Sequence, residues 1–177
     1  RLFYSAAAAL LLVLTFIGFH HFYLQGHNSE GQQLDPARRG LLIVHGIAMS
    51  LWMLIFMAQP LLIAAGNRRA HRALGWVGAT VALAVVVLGM RLVFPVPPDD
   101  PTLGLFYGLR FRQFTGLIFC TVLIFASCVL AGVWYRKRPA VHRPIMLLSV
   151  LAVLGAVFDR IPWLFPLYFK SIWGLLF

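Results

Sequence analysis

Five stretches of this chain are each apolar for about twenty residues, and runs of that length settle the solvent before they settle the fold. They cover residues 2–24, 41–65, 72–94, 114–135 and 144–164. A helix rises 1.5 Å per residue, so each run is long enough to cross the roughly 30 Å hydrocarbon core of a bilayer. In lipid the backbone must satisfy its own hydrogen bonds, which makes the helix the expected conformation. The composition agrees: 61% of residues are hydrophobic and 11% charged, against roughly 25% charged in a soluble domain. So few polar groups cannot cover a water-facing surface. The expected fold is therefore all-α, a single transmembrane helical bundle over residues 1–177. Its first run is long enough to be a retained anchor rather than a signal peptide. Residues 165–177 are apolar but short, and are expected to form an interfacial helix or the start of a sixth span. The start at Arg1 and the stop in an apolar stretch at Phe177 suggest a piece of a longer chain.

The formal charge of +10 invites a nucleic-acid reading, which its distribution opposes. Glu30, Asp35, Arg38 and Arg39 balance in the first loop, as Asp99, Asp100, Arg110 and Arg112 do in the third. The second loop carries Arg68, Arg69 and Arg72, and the fourth carries Arg136, Lys137, Arg138 and Arg143. Alternate loops are basic, which is the positive-inside pattern. Loops two and four and the amino terminus are expected to be cytoplasmic. Their arginines (Arg68, Arg69, Arg72, Arg136, Arg138 and Arg143) are candidates for anionic lipid or another anion. Cys120 and Cys128 lie about 12 Å apart along a helix, too far for a disulfide.

Polar groups inside a bilayer are costly, so each is a candidate for function. On the second run His45, Trp52 and Gln59 recur every seven residues and share one helix face, drifting only about 20° per step. Such a stripe suits a haem or quinone pocket, or polar contacts between helices. His71 and His142 stand near the starts of the third and fifth spans on the same side. Two histidines from facing helices are a ligand set for b-type haem, but their interfacial position argues against it and favours anion or lipid anchoring. On the other side, Arg91 and Arg160 need partners and Asp159 is the one acid within a run, so Asp159 is expected to pair with Arg91. His20, His21, His27 and His45 gather there without zinc-like spacing, and no metal is assigned to them. Small residues recur on span three (Gly75, Ala79, Ala82) and span four (Gly116, Cys120, Ser127, Ala131), as expected where helices approach closely. No nucleophile–base pair or paired carboxylates appear, and no catalytic residue is assigned.

The stretch His45-Gly46 … Trp52 … Gln59 … His71-Arg72-Ala73-Leu74-Gly75 resembles a family of uncharacterised bacterial multipass membrane proteins. The earlier Gly18-Phe19-His20-His21-Phe22-Tyr23-Leu24 is similar to that family's first-span ending, and Arg136-Lys137-Arg138 … His142-Arg143 … Met146 … Arg160 to its second basic loop and following helix. The resemblance implies a helical bundle in a bacterial inner membrane. A more distant similarity is to four-helix membrane b-type cytochromes, from which the chain departs because its fourth span has no histidine. At most one haem site is therefore implied. Two functions follow as expectations: an accessory or scaffold subunit packed against other membrane subunits and lipids, or a redox protein binding haem b or quinone through His45, Trp52, Gln59, His71 and His142.

Overall fold

The computed structural model describes residues 2–27, 33, 36–94, 110–164 and 166–167. It is a helical bundle, with α1 (Leu2–Gln25), α2 (Pro36–Ala64), α3 (Arg68–Val93), α4 (Phe111–Trp134), α5 (Pro139–Val153) and the short α6 (Gly155–Phe158). The first four are long and apolar enough to cross a membrane. Leu10, Val13, Ile47, Leu54, Leu83, Val87, Ile124 and Leu130 all point outward, as helices solvated by lipid require. The protein spans a membrane.

Helices α2 and α3 are joined by only three residues, Ala65–Asn67, and the local chemistry explains the tight turn. Gly66 takes φ +74°, a left-handed conformation in which a Cβ would be strained. The N–H of Asn67 returns to the Leu62 carbonyl (2.8 Å) and that of Gly66 to Ile63 (3.2 Å), closing the last carbonyls of α2. Asn67 then caps α3 by accepting from the Ala70 N–H at 3.0 Å. At its far end α3 stops at Phe94, which is extended (φ −108°, ψ 146°). The next residue is Pro95, and a residue before proline is pushed out of the helical region.

The helices run up and down. Gly75 lies against Gln59, Gly78 against Ile55 and Trp52, and Gly89 against His45, fixing α2 and α3 as an antiparallel pair. A Cβ on Gly89 would also contact Val122 of α4, while Gly132 of α4 faces Met146 of α5. Close packing therefore passes from α2 to α3 to α4 to α5, with α1 against α2 and α6. Helix α5 packs mainly on α4, and its Ser149 and Val150 are fully buried in the bundle. Trp52 of α2 meets Phe125 of α4 across the centre, edge to face, with centroids 5.4 Å apart. Around them Leu11, Met53, Ala82, Val85, Val129, Val150, Leu154 and Val157 complete the core.

Two expectations are corrected. Helices α2, α3 and α5 begin four or five residues before their apolar runs, because polar residues carry them past the hydrocarbon. The fifth run is not one continuous helix: α5 ends at Val153, and Leu154 donates to Leu151 at 3.2 Å in a tighter i−3 turn. Gly155 follows, the residue with the least helical preference after proline. Mixed turns carry the chain to Leu164, whose N–H reaches Ile161 at 2.9 Å. The fifteen residues of α5 reach only about 22 Å, short of a full crossing by themselves. The expected sixth span at 165–177 falls almost wholly outside the described residues.

Candidate functional site

One end of the bundle gathers the two short loops, α2–α3 and α4–α5, and with them every arginine of the two basic loops. Beneath these charges lie His71, in the first turn of α3, and His142, in the first turn of α5. Their rings are 6.5 Å apart between centroids and nearly perpendicular, at 88°. His142 Nδ1 lies 2.8 Å from the Gly132 carbonyl. A carbonyl only accepts, so Nδ1 carries the proton there and Nε2 keeps its lone pair.

His71 is held by Gln59 of α2. With the amide turned to suit its surroundings, its nitrogen donates to the His71 carbonyl (3.2 Å) and to His71 Nδ1, and its oxygen accepts from the Gly75 N–H (3.0 Å). In that arrangement the neutral ring carries its proton on Nε2. Turning the amide over offers a carbonyl to an Nδ1–H instead, and frees Nε2 as a lone pair. Gln59 therefore selects the His71 tautomer. Neither Nε2 has a hydrogen-bond partner among the described residues. Sequence periodicity placed Gln59 with His45 and Trp52; the structure keeps all three on one face but joins Gln59 to the histidine pair.

His45 and Trp52 lie further along the same stripe, about 10 Å apart per heptad. His45 Nδ1 and Trp52 Nε1 are buried with no hydrogen-bond partner, and Trp52 is only 3% exposed. A buried, unpaired donor costs about 1–3 kcal/mol. Trp52→Phe removes that donor while leaving a modest void, so it is expected to keep stability within about 1 kcal/mol of the parent. A thermal melt in detergent showing a loss of about 3 kcal/mol or more would mean that the indole N–H is bonded after all.

The charged residues of the far end arrange themselves differently from expectation. Asp159 pairs with its neighbour Arg160 at 2.8 Å, not with Arg91, which faces outward. The long arginine side chain folds back, donating also to the Ala156 carbonyl and covering the Phe19 ring at 4.7 Å. Asp159 keeps helical dihedrals (φ −66°, ψ −18°), so the pair forms because the long Arg160 side chain folds back along its own turn to reach the neighbouring carboxylate. His20 and His21 stack on each other at 3.8 Å. No group of three or more histidine, cysteine or acidic residues able to hold a metal occurs among the described residues.

The small-residue faces also divide. Those of α3 point inward: Gly75, Gly78, Ala82 and Gly89 make room for Gln59, Ile55, Trp52 and His45. On α4, Gly116 has open space where a Cβ would be, and Cys120 and Ser127 are exposed. Hydroxyls within the spans are mostly spent on their own helices: Thr15 on Leu11, Thr80 on Trp76, Thr121 on Leu117 and Ser149 on Met146. They carry no signal of a site. Compared with family models, curated proteins and solved structures, the chain matches none.

Proposed function

We propose that this protein is a redox protein of the bacterial inner membrane that holds one haem b between His71 and His142. The observation that carries the reading is the pair itself: two imidazoles from α3 and α5, level with each other, each anchored through Nδ1. Anchoring one ring nitrogen so that the other meets a metal is the usual outer-sphere pattern. The ring centres are 6.5 Å apart, close enough for His71 and His142 to hold one iron between them if both Nε2 atoms face it. The donor set suits haem better than a bare ion. A lone transition metal is usually held by three or four protein ligands, whereas a porphyrin brings four nitrogens of its own, so two histidines would suffice to hold a haem. Arg72 and Arg143, next in sequence to the two histidines, are suited to the propionates of a haem. The haem would supply one-electron chemistry. The protein's part would be to fix both rings, and to free Nε2 of His71 Gln59 would have to turn its carbonyl to Nδ1–H, giving up its bonds to the His71 carbonyl and the Gly75 N–H.

The accessory-subunit alternative loses part of its support, because the α3 small-residue face is consumed within the bundle. A quinone reading keeps one specific observation in its favour. With the Gln59 nitrogen on His71, the pair presents one N–H donor and one acceptor across a short gap, as a quinone–quinol couple requires.

Protein isolated from cells with ample haem is expected to show a Soret band and a low-spin spectrum. No band, together with no uptake in a haemin titration, would overturn the haem reading; co-extracted quinone would then support the second one. The same proposal puts the basic end in the cytoplasm. With Cys120 and Cys128 replaced by alanine, a single cysteine at Lys137 should resist an impermeant thiol reagent in intact cells and react once they are opened. Labelling in intact cells would reverse the orientation.

A further inference from the structure

Arg68, Arg69, Arg72, Arg136, Lys137, Arg138 and Arg143 are all exposed at the basic end. Among the described residues that end has no carboxylate to balance them: Asp159 sits at the other end, on Arg160. Neither α3 nor α5, whose positive N-termini point the same way, has an acid in its first turn. Such a rim attracts anions from outside the chain. Within it one place has the shape of a site. The α4–α5 turn borders an open surface cleft of about 390 Å³ lined by Trp134, Tyr135, Lys137 and Arg138. Its cations are positioned in part by aromatic rings, since Arg138 lies over Tyr135 at 5.9 Å. Beside it Arg136 covers Trp76 of α3 at 5.8 Å and donates to the Val133 carbonyl at 3.1 Å. Trp134, the last residue of α4, is 79% exposed. An indole at the end of a membrane helix sits at headgroup level, with its apolar body towards the acyl chains.

We infer that this cleft binds the phosphate of an anionic phospholipid: Lys137 and Arg138 take the phosphate and Trp134 lies along the glycerol and upper acyl chains. Free phosphate shares the charge but lacks the apolar part that Trp134 would cover. The inference is independent of any haem or quinone, because none of the four lining residues belongs to the histidine pair.

The test uses the full chain in detergent, titrated with phosphatidylglycerol and read by native mass spectrometry. The double variant Lys137→Gln/Arg138→Gln should retain this lipid about thirtyfold less well, since each cation near an anionic surface contributes about 1 kcal/mol. Arg68→Gln/Arg69→Gln, on the same rim but outside the cleft, should weaken it only a few-fold. Equal losses in the two double variants would mean diffuse attraction and overturn the site. Equal retention of phosphatidylcholine would overturn the preference for an anionic lipid. Protection of the site by millimolar inorganic phosphate to the same extent as by lipid would overturn the lipid assignment. A melting temperature unchanged between the variants in lipid-free detergent confirms that folding is not the cause of a loss.

Discussion

His71→Ala and His142→Ala are each expected to abolish the low-spin haem spectrum and to cut haem retention roughly tenfold or more. Each removes one of only two axial ligands, and nothing nearby replaces it. Among the described residues no further histidine, cysteine or acid clusters with the pair. Gln59→Leu should do less. It leaves both histidines but frees the His71 ring to turn, so haem should be weakened only a few-fold to about tenfold, at or below the low end for losing such an outer contact, with the low-spin spectrum kept. The discriminating control is His45→Ala. His45 lies against Gly89 near the opposite end, so its loss should leave the spectrum intact. If His45→Ala bleaches the protein as fully as His142→Ala, the site has been placed at the wrong end of the bundle. Optical spectra with haem quantified per chain decide the matter.

The second large effect concerns two glycines of opposite situation. A Cβ on Gly18 of α1 would stand 2.9 Å from the Val157 carbonyl oxygen and 3.0 Å from Val157 Cγ1. The obstacle is backbone, so it cannot rotate aside. Gly18→Ala should therefore push α6 off α1 and destabilise the protein by about 1–3 kcal/mol. Gly116 of α4 has nothing within 4 Å of the added atom, and Gly116→Ala should be neutral or stabilising by up to about 1 kcal/mol. At Gly132 the added atom would collide with the sulfur of Met146, a flexible chain end that can move, and an intermediate effect is expected. Thermal melts of the three variants in one detergent give the order. A Gly18→Ala protein as stable as Gly116→Ala would show that the α1–α6 contact is not close.

Much of the architecture was legible because lipid imposes simple rules. Twenty apolar residues mark a crossing, and basic loops mark one side of it. Helix ends were less legible, since hydropathy reports where lipid stops and the helix continues into the headgroups on Pro36, Arg68 or Pro139. The break after Val153 was hidden for the opposite reason: Leu154 to Phe158 are as apolar as the helix before them, and only the tightened hydrogen bonds reveal it. The pairing of His71 with His142 was readable as same-side placement, but the ring separation depends on how α3 and α5 cross. Arg160 was misjudged because neighbouring residues were assumed to diverge, whereas its long side chain folds back to reach the Asp159 carboxylate. The α3 and α4 small-residue faces looked alike in sequence; which one turns inward is a tertiary fact.

The register between α2 and α3 bears on how this bundle is able to move. Bulky side chains stand at 45, 52 and 59; Gly89 lies against the first and Gly75 against the last, and Gly78 and the buried Ala82 leave room for the indole between them. The two rows behave like the teeth of a rack. A slide of one residue either way would drive the Trp52 indole onto Val81 or Leu83, so the next matching position lies a full heptad away, about 10 Å along the axis. Piston motion of α2 against α3 is thereby locked out. Any rearrangement between these helices and the rest of the bundle must come instead as a movement of the α2–α3 pair as one body.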